Sequence, residues 1–172
     1  MWISVDKWGR VGQSGQQLGD YVFRGVNTLA IDDKGRLAIP ARYREDLLEE
    51  SAPQLVVTIE TESACLLLYP YSQWEIIEKK IEALPSFNPA ARRIQRLLIG
   101  HATETALDSH GRILLPQPLR DYAKLSKNVR LIGQGKKFEL WDEEHWLASR
   151  EVWLSEAVQM NELPEELRGL SL

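Results

Sequence analysis

The stretch TLAIDDKGRLAIPARYR at residues 28–44 occurs a second time in the chain, as TALDSHGRILLPQPLR at residues 105–120. Five polar or conformationally special residues recur in register at a constant spacing. They are Asp32, Gly35, Arg36, Pro40 and Arg44, which recur as Asp108, Gly111, Arg112, Pro116 and Arg120. Further along, CLLLYPYSQW at residues 65–74 resembles KFELWDEEHW at residues 137–146. We therefore interpret the chain as two tandem copies of one unit of roughly 75 residues.

Each copy of the repeated stretch predicts a strand, a tight turn, a second strand and a short helix. In the first copy Asp32 can accept local backbone hydrogen bonds, and Gly35 can adopt a positive φ, which together are typical of a turn. Pro40 cannot extend a strand ladder but can open a helix, which we predict over residues 41–50. A hairpin turn with a surface arginine would explain a single DxxGR motif. Its recurrence with the arginine at the same offset favours a function beyond the turn.

Five motifs in the chain resemble the MraZ family, the bacterial regulators of the division and cell-wall gene cluster. They are FRGVNTLAIDDKGRLAIPARYRE, CLLLYPYSQWE, NPAARRIQRLLIGHATE, LDSHGRILLPQPLR and LIGQGKKFELWDEEHW. The resemblance implies an AbrB-like swapped-hairpin fold in each half, ring-like homo-oligomers and direct DNA binding. The family's signature Asp-x-x-x-Arg maps onto Asp32 and Arg36 and again onto Asp108 and Arg112. We accordingly predict an α+β fold, with two tandem swapped-hairpin units and flanking helices around a compact β-barrel-like core.

The predicted organisation divides the chain into five parts. They are a leader extension at residues 1–21, a first repeat at 22–84, a linker helix at 85–100, a second repeat at 101–147 and an acidic tail at 148–172. Residues 22–39 are predicted to form the first hairpin, and residues 55–58 and 65–69 are predicted to form two further strands. Ser72, Asn88 and Asp142 are predicted helix N-caps, with Pro89 in the first helical position after Asn88, and Gly100 is the predicted end of the linker helix.

The first 21 residues differ from the rest, being rich in Gly, Gln and Ser without a sustained period. The family pattern begins at about Met-Phe-Arg-Gly, where this chain has Val22. Because valine is encoded by GTG, which also serves as a bacterial start codon, we hypothesise that translation begins at Val22. The codons of residues 8–15 can then encode TGGG three times at spacings of about ten base pairs, one helical turn, although only the first is forced by the genetic code. The resemblance implies such G-rich direct repeats upstream of the gene.

Composition limits the classes of function. The chain has 172 residues, a net charge of −4 and a single cysteine, Cys65, which excludes an intramolecular disulfide and which we place in the core. No apolar run approaches the ~20 residues of a membrane span, so we expect a cytoplasmic, nucleoid-associated protein. The three histidines lack metal-ligand spacing, and no catalytic or phosphate-binding motif appears. We therefore predict no metal, no cofactor and no enzymatic activity.

Charge is unevenly distributed, and this favours a nucleic-acid partner despite the negative total. Residues 22–44 carry five basic and two acidic side chains, whereas residues 139–172 carry two basic and nine acidic ones. Arg36 follows a glycine turn and can match guanine O6 and N7 or a phosphate, with Asp32 holding the turn or orienting it. A two-stranded ribbon of this kind fits the major groove.

The predicted DNA-binding set extends beyond this arginine. It comprises Arg24, Lys34, Arg36, Arg42, Arg44 and Arg112, with Asp32, Gly35, Asp108 and Gly111 shaping the turns. The second copy has His110 for Lys34 and Pro118 for Arg42, so it should bind DNA less well or serve oligomer contacts. Arg92, Arg93 and Arg96 form a basic cluster that is either a solvated helix face or a phosphate contact. The remaining alternative is an oligomeric assembly module with a protein partner, in which the DxxGR turns are structural.

Overall fold

A computed structural model describes residues 21–156, 163–167 and 169 of the chain. The predicted leader at residues 1–21, apart from Tyr21, and much of the predicted tail at 148–172 lie outside the described residues. The first half contains β1 (Phe23–Ala30), β2 (Arg36–Ala38), α1 (Ala41–Ser51), β3 (Gln54–Ile59), β4 (Cys65–Pro70) and α2 (Tyr71–Glu82). Then follow α3 (Pro89–Ile94) and a π-helical segment (Gln95–Ile99). The second half contains β5 (Thr103–Ala106), β6 (Arg112–Leu114), α4 (Gln117–Tyr122), β7 (Asn128–Gly135), β8 (Phe138–Asp142), α5 (Glu143–Ser155) and a short 3-10 turn (Glu165–Leu167).

The described strands form a six-stranded antiparallel sheet in the order β1-β7-β8-β4-β3-β5, together with a two-stranded ribbon of β2 and β6. The strand order is symmetric. If each strand is exchanged for its counterpart in the other half (β1 for β5, β3 for β7, β4 for β8), the same order is obtained when read backwards. Thus β1 pairs with β7 of the second half, and β5 pairs with β3 of the first half. The two halves are joined at the centre by β4 and β8. Each half therefore completes the sheet of the other.

Two expectations about strand pairing need correction. The six-stranded sheet is open, with β1 and β5 as its edges, so the predicted barrel-like core is wrong. Residues 22–39 do not form an extended hairpin, because β1 makes its ladder with β7 and meets β2 only at the isolated bridge between Ile31 and Leu37. The chain thus contains a mixed helix and sheet fold whose long pairings are between halves.

One face of the sheet carries the main hydrophobic core. Alternate residues of β3, such as Leu55, Val57 and Ile59, point to this face and are almost completely buried. The Phe23 and Phe138 rings stack here with centroids 4.2 Å apart. Residues Leu37 and Ile113 of the ribbon, which pair with each other, are buried in the same core. The core therefore holds the ribbon against the sheet.

The opposite face of the sheet is covered by helices. Val56, Leu67 and Tyr69 pack against Trp74 of α2 and the π-helical segment. Thr58 is fully buried and its hydroxyl donates to the Leu98 carbonyl oxygen at 2.7 Å, which satisfies a carbonyl within that segment. At the other end of this face Cys65, Ile132 and Trp141 pack against Trp146 of α5. Burial raises the pKa of the Cys65 thiol, in keeping with its predicted place in the core.

The predicted helix ends are partly confirmed. The Asn88 side chain accepts hydrogen bonds from the backbone N–H groups of Ala90 and Ala91, with Pro89 in the first turn, and Asp142 accepts one from Glu144. Ser72 is not an N-cap, because α2 already begins at Tyr71 after Pro70. Gly100 is the C-cap of the π-helical segment, and its φ of −61° is helical, not left-handed.

None of the helices in the described part of the chain is long and apolar enough to cross a membrane.

Candidate nucleic-acid interface

The first DxxGR turn is closed by the Asp32 carboxylate. Its Oδ1 accepts the backbone N–H groups of Lys34 and Arg36, each at 2.9 Å, and its Oδ2 accepts the Arg36 Nε–H at 2.8 Å. Gly35, at a φ of +79°, donates its backbone N–H to the Asp32 carbonyl oxygen. Asp32 therefore bonds both to the turn backbone and to the Arg36 guanidinium. Within the described part of the chain, no hydrogen bond to the Arg36 Nη groups is observed.

The second turn repeats this geometry almost atom for atom. Asp108 Oδ1 accepts the backbone N–H groups of His110 and Arg112 at 2.8 and 2.9 Å, and Oδ2 accepts the Arg112 Nε–H at 2.9 Å. Gly111 has a φ of +72°. Arg112 is 29% and Arg36 30% exposed at the side chain. The two arginines therefore have equivalent orientations and equivalent access to solvent.

The charges of both aspartates are stabilised by these hydrogen bonds. The N–H of the Arg112 backbone, the largest cause, lowers the pKa of the Asp108 carboxyl to about 2, with further help from His110 and the Arg112 guanidinium. The pKa of Asp32 is lowered in the same direction, again chiefly by the backbone N–H of Arg36. Both carboxyls are therefore ionised at neutral pH and remain acceptors for their arginines.

The ribbon places the two arginines on one outward face. In its register Arg36 lies opposite Leu114, and Arg112 lies opposite Ala38. Leu37 and Ile113 face inward between them. The outward face consequently presents two oriented guanidinium groups with two apolar side chains, and Leu114 is 55% exposed.

Arg44 and its counterpart Arg120 brace the turns across the two halves. The Arg44 Nε donates to the Ile39 carbonyl oxygen at 2.7 Å, and its side chain lies directly over Gly111 of the other half. Arg120 donates to the Leu115 carbonyl oxygen at 3.0 Å and lies over Gly35. The structure thus gives Arg44 an architectural task in addition to the DNA contact predicted for it. Arg120 was outside the predicted set, and the repeat alignment was the signal that could have included it.

Arg42 belongs to a hydrogen-bonded network between α1 and β1. Its Nη2 donates to the Asn27 amide oxygen and to the Tyr43 hydroxyl oxygen. The Tyr43 hydroxyl in turn donates to the Arg24 carbonyl oxygen at 2.6 Å, and the Arg42 guanidinium lies over Gly25. Arg42 remains exposed, so the network orients it on the surface. Sequence reasoning missed Tyr43, a buried residue whose hydroxyl connects β1 to α1.

The side chains of the other predicted cations lie on the surface. Lys34 is exposed within the first turn, and Arg24 is exposed on β1. Arg92, Arg93 and Arg96 are exposed on α3 and the π-helical segment, on the helix-covered face of the sheet. Among the residues that the structure describes, no three His, Cys, Asp or Glu side chains are grouped to hold a metal ion.

The chain is similar to one family of known proteins. The model of the MraZ protein family, described as antitoxin-like, matches residues 22–97 and again 98–159. The transcriptional regulator MraZ of Legionella pneumophila strain Corby is 59% identical over 152 residues, covering 88% of this chain and 100% of that protein. Proteins of the same name from Coxiella burnetii strain Dugway 5J108-111 and Alkalilimnicola ehrlichii are 60% and 54% identical, each with 88% of this chain and 100% of the relative aligned. The name describes a regulator and no enzymatic activity, in agreement with the prediction from sequence. The chain belongs to the MraZ family.

Proposed function

We propose that this protein is a sequence-specific DNA-binding transcriptional regulator that represses its own promoter and the division and cell-wall gene cluster. The observation that carries the proposal is the outward face of the β2–β6 ribbon, where an aspartate orients each of two arginines. The relatives' name supports the regulatory role. The AbrB-like swapped-hairpin character of each half is part of the proposal, supported by the exchange of β1 and β5 between halves.

Oriented arginines suit guanine-rich DNA. Within each guanidinium the aspartate engages only the Nε–H, so the two Nη groups are left to donate in parallel to guanine O6 and N7. Because the aspartate already restricts the side chain, less conformational entropy is lost when DNA binds. A two-stranded ribbon enters the major groove, where base edges are readable. The proposed target is therefore a set of G-rich direct repeats.

Neighbouring residues distinguish the two turns. Lys34 and Arg42 flank the first turn, whereas His110 and Pro118 occupy the equivalent places beside the second. Arg24, Lys34, Arg42 and Arg44 would supply phosphate contacts, which position a protein but do not specify sequence. We propose that Arg36 is the main reader of bases and that Arg112 contributes less, because the second copy has His110 and Pro118 where the first has two cations.

A single chain offers few phosphate contacts, so we propose that a homo-oligomer, ring-shaped and bound to the nucleoid in the cytoplasm, engages successive repeats. Linked binding events raise affinity without new contacts when the spacing allows simultaneous engagement. Repeats about ten base pairs apart present the same face of the duplex to each subunit. The five-part division of the chain, with a start at Val22, also remains part of this proposal.

The test is a binding titration with the DNA upstream of the gene, against a duplex in which the repeats are scrambled. We expect specific binding whose affinity falls steeply with salt, because cations on the protein replace counterions. Arg36→Ala should abolish the preference for the repeats while leaving the oligomer intact, and Arg112→Ala should reduce it less. Arg150→Ala, which removes one exposed charge from α5, is the matched control and should change little.

Two results would contradict the proposal. Equal losses from Arg36→Ala and Arg112→Ala would remove the assignment of the first turn as the main reader. No preference over the scrambled duplex would favour an oligomeric assembly module with a protein partner. One observation favours that alternative: each aspartate accepts three hydrogen bonds from its own turn, as the aspartate of a purely structural turn also would.

A further inference from the structure

A pocket of about 340 Å³ opens on the helix-covered face of the sheet, far along the chain from the DxxGR turns. Three tryptophans, Trp141, Trp146 and Trp153, line it, with ring centroids 5.7 to 6.0 Å apart from one another. Three glutamates, Glu60, Glu62 and Glu139, also line it, and the remaining lining residues are Ser63, Ile132 and Gln134. We call this site the tryptophan pocket.

The tryptophan pocket is built to receive a cation beside an aromatic ring. No Lys or Arg is among the described residues that line it. The Trp141 Nε1–H already donates to Glu139 at 2.9 Å, so the indole is fixed and its ring is left for apolar and cation–π contact. Trp153 is 47% exposed, which leaves a large apolar surface in water at the rim.

The chain has a second exposed surface with the complementary chemistry. Residues 84–96, which we call the basic projection, carry Arg92, Arg93 and Arg96 and no acidic residue. Phe87 at its tip is 83% exposed, and Leu84 and Ile94 are also exposed. An aromatic side chain exposed to this degree, on a segment that also carries three exposed arginines, is unusual for a surface without a partner.

The basic projection is held in a defined shape. Asn88 caps α3, and the Arg92 Nη1 donates to the Ser86 carbonyl oxygen at 3.3 Å. The Gln95 amide donates to the Ile81 and Leu84 carbonyl oxygens, which ties the start of the π-helical segment to the end of α2. A preorganised loop of this kind loses little conformational freedom on docking.

We propose that the basic projection of one copy docks into the tryptophan pocket of a second copy, with Phe87 against the indoles and Arg92 and Arg93 beside the carboxylates. The chain's own tail is a poorer occupant, because residues 156–172 contain four glutamates and one arginine and would meet an acidic pocket. Since the two surfaces differ, the contact is heterologous, and its repetition closes into a ring when the rotation allows. This inference deepens the homo-oligomer of the proposed function by naming the junction.

The first test uses two variants, each damaged on one surface, in the absence of DNA. The projection variant is Arg92→Glu with Arg93→Glu, and the pocket variant is Glu62→Arg with Trp153→Ala. Light scattering after gel filtration should show an oligomer for the wild type and a monomer for each variant. An equimolar mixture should give a dimer, because one intact projection meets one intact pocket. The matched control, Lys79→Glu with Lys80→Glu on exposed positions of α2, reverses the same charge and should remain oligomeric.

The second test follows tryptophan emission while the wild type is diluted. Dissociation should uncover Trp153 and shift the emission to longer wavelength, and Phe87→Ala should raise the concentration at which this occurs on the order of tenfold or more. Circular dichroism of each variant identifies any that fails to fold, in which case Phe87→Ala alone decides.

Several outcomes would overturn the proposal. They are a monomeric wild type, a projection variant that assembles normally, a mixture that stays monomeric, and an emission unchanged by dissociation, which would mean that the tail or another partner covers the pocket. Because no DNA is present, failure here leaves the DNA-binding proposal standing. Conversely, a protein that assembles through this junction but binds no DNA would support the junction and contradict the DNA-binding proposal.

Discussion

Replacing Gly111 by alanine tests whether each half braces the turn of the other. Gly111 has a φ of +72°, and a Cβ built there would lie 2.7 Å from the Arg44 Cδ and closer still to its Nε. A side chain in the left-handed region costs about 1–2 kcal/mol. Arg44 would also have to move from Cδ outward and lose its bond to the Ile39 carbonyl oxygen. A charged hydrogen bond contributes about 1.5–3 kcal/mol, which we reduce to about 1–2 because Arg44 is partly exposed.

The expected loss in the free energy of unfolding for Gly111→Ala is therefore about 2–4 kcal/mol. Gly135→Ala is the matched control, because Gly135 has a φ of +81° and nothing within 4 Å of a built Cβ. It should lose only the conformational part, about 1–2 kcal/mol. The assay is urea unfolding followed by tryptophan fluorescence at one fixed protein concentration, since assembly makes stability depend on concentration.

Equal losses in Gly111→Ala and Gly135→Ala would refute the bracing role of Arg44. A double-mutant cycle gives a second decision. If alanine at position 111 already displaces Arg44, then Arg44→Ala should cost less in the Gly111→Ala background than in the wild type. Additive losses would mean that Arg44 and Gly111 act independently. The reciprocal Gly35→Ala should lie between the two glycine variants, because its nearest clash is with the terminal Nη2 of Arg120 at 2.8 Å.

Three further changes test individual hydrogen bonds, one between β1 and α1, one on the helix-covered face of the sheet and one within the second turn. Tyr43→Phe removes the hydroxyl that donates to the Arg24 carbonyl oxygen and should lower the free energy of unfolding by about 1–2 kcal/mol, measured by urea titration. Thr58→Val should cost about 1 kcal/mol and speed amide exchange around the π-helical segment, because the Leu98 carbonyl oxygen loses its donor. Asp108 has a folded pKa below its unfolded value, so its stabilising contribution is complete above pH about 4 and is lost as the pH falls through about 2. Urea midpoints of wild type and Asp108→Asn should therefore converge at the acid end, and a constant difference across that range would contradict the assignment.

Local signals were enough to locate most elements from the sequence. The helix predicted at residues 41–50 is α1, and the predicted strands around residues 55–58 and 65–69 are β3 and β4, each within one or two residues. Proline before the helix and apolar runs in the strands act on their own segment of chain, so their effect is visible in sequence. Asn88 and Asp142 cap their helices for the same reason.

Which segments pair with each other in space could not be predicted from these local signals. A strand, a turn and a strand in succession suggest a hairpin, yet β1 pairs with β7, about a hundred residues away. Arg44 was assigned to phosphate because it is a cation beside a predicted binding turn. In the structure Arg44 lies over Gly111 of the other half. This contact cannot be predicted until it is known that the two copies pair. The tryptophans of the pocket likewise come from β8 and α5 and meet carboxylates of the β3–β4 turn.

The reciprocal pairing accounts for which residues the two copies still share. The Gly35 carbonyl oxygen accepts from Leu115 and the Gly111 carbonyl oxygen accepts from Ile39, so neither turn is complete without the other half. A change at any turn glycine, aspartate or bracing arginine therefore damages both turns together. Residues on the outward face do not form these contacts between the turns, and there the copies differ. His110 stands in place of Lys34, and Leu114 in place of Ala38. The ribbon thus has a symmetric frame that fixes the relative position of its two arginines. Its solvent face is free to become asymmetric, which agrees with the proposed reading of a direct, non-palindromic DNA repeat.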